Sequence, residues 1–324
     1  LAVVGCGGAG RLHLDACARA GISPSVLVDR DPGRLDELAR RWPGVSVAES
    51  AADVADRFDV AVVAVPDRHH ASVAIALLAA GKDVLVEKPM AGGRREAQEM
   101  VAAAAEAGRT LAVAHVRRHL AVKSWAHEVV ASGRLGAVEA IEVSQGGLDH
   151  WVADTGGYVQ EAVGGALADQ GAHSIDLLTW WFGALEVRSC VDDARGGHEA
   201  DATVEAVAAG GVPVRLEVSR VRPRRNTIRV HAERGTLEVA LDHYQPRQVV
   251  QVPAGLAARP FDQRPEDLAV QFDRQLAAFA AALGGAWPTT LATAADGASV
   301  AGVIEDCRAL RRPEELEWMR SATA

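Results

Sequence analysis

A glycine-rich turn near the start of the chain constrains its fold more than any other sequence feature. The segment Gly5-Cys6-Gly7-Gly8-Ala9-Gly10 follows the apolar run Leu1–Val4 and precedes a helical pattern, Arg11–Ala20. In such a unit the first glycine permits a tight turn, the second lets the backbone approach a pyrophosphate, and the third lets the helix pack on the strand. The segment predicts a dinucleotide-binding turn, with the pyrophosphate at the start of the helix.

The first 118 residues alternate short apolar runs with amphipathic segments. The apolar runs lack polar alternation, as strands covered on both faces do. They are Leu1–Val4, Ser25–Val28, Val60–Val65, Val84–Val86 and Leu111–Ala114. The helical patterns between them are Arg11–Ala20, Arg34–Arg41, Ser72–Ala80 and Arg94–Ala107. Repeated strand–helix units predict an N-terminal Rossmann domain over residues 1–118, built on a doubly wound parallel sheet.

The pattern changes after residue 118. The later strand patterns alternate polar and apolar residues, with little helix between them; they are Val138–Ser144, Glu186–Val191, Thr203–Ala208, Val214–Val221, Asn226–His231 and Thr236–Ala240. Helical patterns lie near Lys123–Ser132, Gly165–Trp181, Leu268–Leu283 and Thr293–Leu310. Residues 119–324 are therefore predicted to form an α+β domain with a large, mostly antiparallel open sheet, which makes the chain an α/β protein of two domains.

Composition excludes several classes of protein. The 324 residues are 49% hydrophobic and carry a formal net charge of −9, which argues against a nucleic-acid partner. The four cysteines show no paired spacing, so neither a disulfide framework nor a structural zinc site is expected. No apolar run approaches the roughly 18 residues of a membrane helix. We expect a cytoplasmic protein without a signal peptide, whose natural start precedes Leu1.

Asp29 ends the second predicted strand, 19 residues after Gly10. An acid at this place accepts hydrogen bonds from the adenosine ribose and repels a 2′-phosphate, which favours NAD over NADP. Arg30 follows directly and could pair with a phosphate or lie along the adenine, so NADP stays open as the alternative. The triplet Asp29-Arg30-Asp31 also suits a turn and helix cap before Pro32.

A charged pair follows the predicted strand Val84–Val86. In open α/β sheets, ligands bind beyond the carboxyl ends of the strands, where Glu87 and Lys88 stand. A lysine there can polarise a carbonyl or share the proton of an alcohol. The alternative is ordinary loop polarity ahead of Pro89.

A second cluster of titratable residues lies between Gly164 and Asp176. Asp169 and His173 are four positions apart, which places them on one face of a helix, and Asp176 is three further on. A carboxylate can hold an imidazole in one tautomer, as general acid–base catalysis requires. The alternatives are a helix cap with a buried histidine, or a metal pair. Since no third ligand is evident, no metal is predicted.

These segments together resemble the glucose–fructose oxidoreductase and inositol dehydrogenase family (Gfo/Idh/MocA) over almost the whole chain. The residues that carry the resemblance are Gly5–Gly10, Val65–Ala71, Ala80–Pro89 and Gly164–Asp176. The resemblance implies a Rossmann domain, then an α/β domain whose open sheet often makes dimers or tetramers. By matching motif positions it implies catalytic roles for Lys88, Asp169 and His173.

The resemblance also places Pro66, His70 and Glu87 around the nicotinamide and its ribose. The full set of predicted cofactor contacts is Gly5, Cys6, Gly7, Gly8, Ala9, Gly10, Asp29, Arg30, Val65, Pro66, His70, Glu87 and Lys88. The chain departs from the family at Val65-Pro66-Asp67, where Thr-Pro-Asn is usual, and at His115, where asparagine is frequent. His115, Arg118 and Asp176 are the candidate substrate contacts, although His115 could equally close its strand.

The expected function is the interconversion of a secondary alcohol and a ketone on a sugar, cyclitol or nucleotide-linked sugar. The expected cofactor is NAD, with NADP as the alternative, and His173 or Lys88 takes the hydroxyl proton. Two alternatives keep the same fold: an NAD-dependent glycosidase and a non-catalytic cofactor-binding regulator. A reductase of nucleotide-linked sugars would need a pyrophosphate site, for which Arg222, Arg224 and Arg225 are the candidates. A homo-dimer or homo-tetramer is expected.

Overall fold

The computed structural model describes residues 1–147, 165–194, 198–242, 244–245, 247–256 and 266–314. These residues form two compact units. The first contains the described residues of 1–125 and 265–301, and the second those of 126–264 and 302–324. Gly164, the first residue of the second predicted cluster, lies outside the described residues.

The helices and strands follow the chain in an alternating order. The helices are α1 Gly8–Arg19, α2 Pro32–Arg41, α3 His70–Ala79, α4 Arg94–Ala107, α5 Ala121–Ala131, α6 Ala172–Phe182, α7 Leu268–Leu283 and α8 Ala294–Ala309. Short 3-10 turns cover Ala52–Arg57, Asp67–His69, Val116–His119 and Ala209–Gly211, and a π-helical segment covers Leu167–Gly171. The strands are β1 Ala2–Val4, β2 Val26–Val28, β3 Ser46–Ala48, β4 Val60–Val63, β5 Asp83–Val86, β6 Leu111–Val113, β7 Val138–Gly146, β8 Leu185–Asp192, β9 Asp201–Ala208, β10 Val212–Ser219, β11 Thr227–Ala232, β12 Gly235–Ala240, β13 Val249–Gln251, β14 Ala292–Thr293 and β15 Arg311–Pro313.

The first unit is built on a sheet with the strand order β14-β6-β5-β4-β1-β2-β3. All pairs in it are parallel except β14 with β6. Both faces are covered by apolar clusters: Ala2 and Val4 contact one cluster, whereas Val3 contacts the other. This two-sided burial explains why the strands read as uninterrupted apolar runs. The predicted Rossmann sheet is confirmed.

The second unit contains a sheet with the order β13-β12-β11-β7-β10-β9-β8-β15. Its pairs are antiparallel except β7 with β10 and β8 with β15, so the predicted, mostly antiparallel sheet is confirmed. Along β10, Val214, Leu216 and Val218 are buried, while Arg215 is exposed and pairs with Glu205. One face of this sheet is therefore apolar and the other polar, as the alternation in the sequence indicates.

Two stretches after residue 118 belong to the first unit: residues 119–125 and the described residues of 265–301. The sequence division places everything after residue 118 in the second domain, but α7 packs with the first unit. Phe279 joins the apolar cluster around Val3, and Phe272 joins the cluster around Ala16. The apolar period of α7 shows that one of its faces is buried, but it carries no information about which partner covers that face.

Candidate active site

The glycines of the first turn divide into two kinds. Gly5 has φ +91°, and a Cβ placed on it would lie 2.5 Å from backbone atoms of Ala64. A Cβ on Gly10 would lie 2.0 Å from the carbonyl oxygen of Gly5, so any side chain there would separate α1 from β1. Gly7 and Gly8 instead have nothing within 4 Å on their Cβ side. The backbone at the start of α1 is thus open to a ligand, which fits the pyrophosphate of a dinucleotide.

The carboxylate of Asp29 lies beside this turn. Its Oδ2 accepts a hydrogen bond from the Cys6 amide at 2.7 Å, and its Oδ1 accepts one from the Asp31 amide at 2.9 Å. Arg34 Nη1 contacts both oxygens, at 3.2 and 3.0 Å. Arg30 is exposed. Cys6 itself is fully buried, and burial followed by the charge of Asp29 raises the pKa of its thiol to about 12. Cys6 therefore acts here through its backbone and not as a thiolate.

His70 connects the loops that follow β4 and β5. Its Nδ1 lies 2.8 Å from the carbonyl oxygen of Pro89, and its Nε2 lies 2.9 Å from that of Val65. Burial lowers the pKa of His70, so the neutral ring donates to one of these two acceptors at a time. His70 is only 1% exposed, whereas Pro66 is exposed. The ring thus holds two loops together and offers no surface to a nicotinamide.

Glu87 is held by a buried histidine of α1. His13 Nε2 donates to Glu87 Oε1 at 2.8 Å, and the Lys88 amide donates to Oε2 at 3.1 Å. Burial raises the pKa of Glu87, but the hydrogen bond and charge of His13 outweigh it, so the pKa lies below its ordinary value. His13 is 2% exposed and packs edge-on against Phe272 of α7, with ring centroids 5.1 Å apart. An ionised Glu87 therefore fixes the backbone at Lys88.

Lys88 stands at the carboxyl end of β5 and is partly exposed. The Lys88–Pro89 peptide bond is cis. β5 lies next to β4 in the sheet, and β4 lies next to β1, whose end leads into the glycine turn. The order of the strands reverses between β1 and β4, and open α/β sheets bind their ligands at such a reversal. Lys88 is thus a charged group with accessible surface at the edge of the sheet where a cofactor is expected.

Two predicted substrate contacts of the first unit are inaccessible. His115 is 2% exposed, and Arg118 is 1% exposed with its Nη1 3.3 Å from Asp296 Oδ2. The next residue, His119, is 4% exposed, and burial together with Arg118 and Arg274 lowers its pKa to about 3. Both side chains are buried in this structure, and their roles as substrate contacts stay predictions.

In the second unit, Asp169 lies on the π-helical segment Leu167–Gly171, and His173 lies in the first turn of α6. Both are partly exposed. Asp169 Oδ2 accepts a hydrogen bond from Arg220 Nη2 at 2.6 Å, and about a fifth of each side chain is exposed. The residue that precedes the segment is Ala166, so Asp169 is not the helix cap of the alternative interpretation. Irregular helical turns of this kind are frequent at functional sites.

Asp176 is buried, whereas Asp169 and His173 are partly exposed. It is 0% exposed on the inner face of α6. Ser174, two positions earlier in α6, is also buried and donates a hydrogen bond to Gln145 of β7 at 2.6 Å. This polar contact fixes α6 on the sheet. The role of Asp176 as a substrate contact stays a prediction.

Glu199 supports the second cluster, although no sequence motif points to it. The side chain is 3% exposed and accepts a hydrogen bond from the Leu167 amide at 2.9 Å, while its carbonyl accepts one from Ala166 at 2.8 Å. A Cβ on Gly165 would lie 2.1 Å from that carbonyl oxygen. Arg311 Nη2 donates to the other carboxylate oxygen at 2.8 Å. Glu199 therefore fixes the start of the segment that carries Asp169.

Two of the three arginines considered for a pyrophosphate are held by carboxylates. Arg222 contacts Asp201 at 2.9 Å and Glu314 at 3.0 Å. Arg224 contacts Asp201 at 3.3 Å and Glu217 at 3.4 Å. Their positive charge is thus already compensated within the chain. Over the part of the chain that the structure describes, no three His, Cys, Asp or Glu side chains are grouped to hold a metal ion. No described helix is long and apolar enough to cross a bilayer.

Comparison with curated proteins gives relatives over part of the chain. An inositol 2-dehydrogenase of Rubrobacter xylanophilus is 38% identical over 144 residues, which are 42% of this chain and 40% of that protein. Inositol 2-dehydrogenase 2 of Saccharopolyspora erythraea is 31% identical over 189 residues, which are 56% of this chain and 53% of that protein. The chain spans between 40% and 59% of the length of the first curated relatives that it matches.

Solved structures match over nearly the full chain. The WlbA dehydrogenase of Bordetella pertussis, in complex with NADH and UDP-GlcNAcA, gives a TM-score of 0.83 over 95% of this chain and 94% of that one, at 22% identity. GenD2 of gentamicin A biosynthesis, in complex with NAD, gives 0.80 over 95% and 92%, at 27% identity. At 22% identity, the likeness to the WlbA dehydrogenase shows a shared fold and nothing more.

The family models match both units. Residues 1–115 match the oxidoreductase family with an NAD-binding Rossmann fold, and residues 124–238 match the Gfo/Idh/MocA C-terminal domain. Together the two models cover more than half of the chain, and the glycine turn, Asp29 and the strand order of the first sheet agree with them. The chain belongs to the Gfo/Idh/MocA family of oxidoreductases.

Proposed function

We propose that this chain catalyses reversible hydride transfer between NAD(P) and a secondary alcohol carbon of a sugar, a cyclitol or a nucleotide-linked sugar. The observation that carries the proposal is the fixed, partly exposed Lys88 beyond β5, on the same sheet edge as the open glycine turn. The partly exposed Asp169 and His173 supply acid–base groups in the second unit. Relatives named inositol 2-dehydrogenase and the NAD-bound neighbour GenD2 support this class of reaction.

The residues of the first unit fit a dinucleotide. The turn Gly5–Gly10 would take the pyrophosphate at the start of α1, and Asp29 would take the adenosine ribose. His70 and the His13–Glu87 pair hold the loops on which Val65, Pro66 and Lys88 stand. Nicotinamide, when bound, supplies the group that accepts or donates a hydride.

The side chains of this protein move the proton and stabilise the charge. Oxidation of the alcohol releases its carbon-bound hydrogen as a hydride and its hydroxyl hydrogen as a proton, so a base must receive the proton. His173 or Lys88 accepts it. Lys88 also donates a hydrogen bond to the substrate oxygen as negative charge develops there. Asp169, held by Arg220, orients the imidazole of His173 and stabilises its protonated form.

A substrate panel tests the proposal. Inositols, free hexoses and nucleotide-linked sugars are each incubated with NAD and with NADP, and formation of the reduced cofactor is followed by its absorbance. Net reduction with at least one alcohol of these classes is the expected result. Release of a free sugar from a glycoside without net reduction would identify the glycosidase alternative, and cofactor binding without turnover on any substrate would identify the regulator.

The family resemblance also supports a homo-dimer or homo-tetramer formed through the open sheet, and the unpaired spacing of the cysteines supports a location in the cytoplasm. The polar sheet face carries Arg215 and Arg229, each paired with carboxylates of neighbouring strands. Light scattering on the purified protein distinguishes a dimer and a tetramer from a monomer. Fractionation of the source cells tests the location.

A further inference from the structure

Glu199, which lies two positions before β9, contacts the segment of Asp169 through both its backbone and its side chain. Its carbonyl oxygen accepts a hydrogen bond from the Ala166 amide at 2.8 Å, and its Oε1 accepts one from the Leu167 amide at 2.9 Å. The Asp169 amide donates to the Gly165 carbonyl at 3.2 Å and so lies in the same turn. Two bonds from Glu199 therefore fix the first turn of the backbone that carries the Asp169 carboxylate.

Ala200, the next residue, contacts the partner of that carboxylate. Its carbonyl oxygen accepts a hydrogen bond from the Arg220 amide at 2.8 Å. Arg220 Nη2 in turn donates to Asp169 Oδ2 at 2.6 Å. Two consecutive residues thus hold the backbone on both sides of one ion pair. Because the strength of an ion pair depends on the distance between its charges, a shift of Glu199 changes the pairing of Asp169.

Arg311 holds the Glu199 carboxylate by its second oxygen. Arg311 Nη2 donates to Glu199 Oε2 at 2.8 Å, and Arg311 Nε lies 2.5 Å from Asp192 Oδ2. Glu199 and Asp192 are only 3% and 1% exposed. A buried carboxylate requires a partner, since its transfer from water is costly. Arg311 is the first residue of β15, so the strand that pairs with β8 supplies this partner.

We infer that Glu199 is a positioning residue for the proposed acid–base step: it fixes Asp169 relative to Arg220, and Arg311 fixes Glu199. The inference rests on the role that the proposed function gives to Asp169. Catalytic groups have to be held within about 0.5 Å of their productive place. A displacement of about 1 Å by a distant substitution can lower a rate by about 10²-fold. Removal of the Glu199 side chain should therefore slow the reaction through Asp169.

Asp192 provides the matched control, because it is a buried carboxylate on the same arginine. Its Oδ1 accepts a hydrogen bond from the Ala194 amide at 3.0 Å, in the loop that follows β8. Asp192→Asn therefore removes a negative charge from Arg311 but leaves both bonds from Glu199 to residues 166 and 167 in place. A role in stability alone predicts the same effects for Asp192→Asn and for the variants of Glu199. A positioning role predicts different effects.

Amide hydrogen exchange measures how firmly the segment is held, without any turnover. Exchange of residues 165–173 is followed by mass spectrometry in wild type, Glu199→Ala, Glu199→Gln and Asp192→Asn, without cofactor or substrate. Glu199→Ala is expected to speed exchange by about tenfold or more, because the Leu167 amide loses its acceptor. Glu199→Gln keeps a carbonyl oxygen as acceptor and should give a smaller increase. Asp192→Asn should stay within about threefold of wild type.

Steady-state kinetics on an alcohol that the wild type oxidises tests the catalytic consequence. Glu199→Ala should lower kcat by about 10–10²-fold with an unchanged KM for NAD. In the Asp169→Asn background the same substitution should cost less than about threefold, since both residues act through one carboxylate. Glu199→Gln should retain more of kcat than Glu199→Ala. Asp192→Asn should keep kcat within about threefold of wild type even where its Tm is lower.

Three results would overturn the inference. The first is an exchange of residues 165–173 in Glu199→Ala that equals that of wild type. The second is an equal loss of kcat and Tm in Asp192→Asn and Glu199→Ala, which would show that both residues only stabilise the fold. The third is a fully additive loss of kcat in the double variant of Asp169 and Glu199. A wild type that oxidises no alcohol would contradict the proposed function, and the exchange data would still decide whether Glu199 fixes the segment.

Discussion

Lys88 is a partly exposed residue whose backbone is fixed. Its amide is bound to the Glu87 carboxylate, which is in turn held by His13. We expect Lys88→Met to lower kcat by about 10²–10⁴-fold, because the substrate oxygen loses its charged hydrogen-bond donor. NAD affinity should stay within a few-fold of wild type, since the pyrophosphate and ribose sites are untouched. Steady-state kinetics and a separate NAD titration measure the two effects.

Lys82 offers a matched control for Lys88. It precedes the opposite end of the same strand, β5, and its ammonium lies 5.6 Å from the ring centroid of Phe58. Lys82→Met also removes a positive charge next to β5, but at the edge of the sheet away from the glycine turn. Near-normal kcat is expected. A Lys88→Met enzyme with more than half of the wild-type kcat would show that Lys88 has no part in the chemistry.

His173 and Asp169 should act as one unit if they serve a single proton transfer. We expect His173→Ala to lower kcat by about 10²–10⁴-fold and to flatten the rise of kcat/KM with pH. Asp169→Asn should also lower kcat, because an amide does not favour the protonated imidazole. The losses in the double variant should be less than additive. Both kcat and Tm are measured on wild type, the two single variants and the double variant. A purely structural role of the two residues would lower Tm and leave kcat unchanged.

The elements α1 and β5 are joined by the buried pair His13–Glu87. His13→Leu leaves the Glu87 carboxylate buried without this donor, so its pKa should rise and the free energy of unfolding should fall by about 3–5 kcal/mol near neutral pH. His13→Gln keeps a hydrogen-bond donor and should lose less than half as much. Urea denaturation of wild type and both variants gives the values. Equal stability of the leucine and glutamine variants would show that the contact contributes nothing.

A helix or strand can be predicted from the sequence when its apolar residues recur at the spacing of that element. Both predicted bounds of α4 are correct, because its apolar period ends at Gly108, which takes the left-handed conformation at φ +60°. The sequence patterns miss β3, since Ser46–Ala48 has only three residues and the side chain of Val47 is exposed. They also miss the antiparallel edge strand β14, which has a length of two residues.

The candidate site can be predicted only as far as its motifs reach. The glycines, Asp29, Lys88 and the Asp169–His173 spacing are local patterns. The glycine turn, Asp29 and Lys88 lie at the element ends where the sequence places them, whereas Asp169 lies on a π-helical segment ahead of α6 and not within the same regular helix as His173. Their supports are not local: His13 is 74 positions from Glu87, and Arg220 is 51 positions from Asp169. Nothing in a single sequence connects such positions. Burial is equally hidden: the motifs do not show that His115, Arg118 and Asp176 are buried.

At the scale of the whole molecule, buried neutral histidines link stability to pH. His119 is 4% exposed, and burial, then Arg118 and Arg274, lower its pKa from 6.5 to about 3. Between about pH 3 and pH 6.5, His119 is protonated in the unfolded chain and neutral in the folded chain. Stability from this group is therefore complete above pH 6.5 and falls with decreasing pH, by about 1.4 kcal/mol per pH unit. The lowered pKa of His70 acts in the same direction.

We therefore expect the free energy of unfolding to fall by at least about 1.4 kcal/mol between about pH 7.5 and about pH 5.5 because of His119. Glu87 adds nothing in this window, because a carboxylate with a lowered pKa loses its contribution only below its ordinary value of 4.5. Urea titrations at the two pH values should show a drop that is smaller by about that amount in His119→Gln. Replacement of the exposed His198 by glutamine is the control and should leave the drop unchanged. An undiminished drop in His119→Gln would show that His119 is protonated in the folded protein across this range.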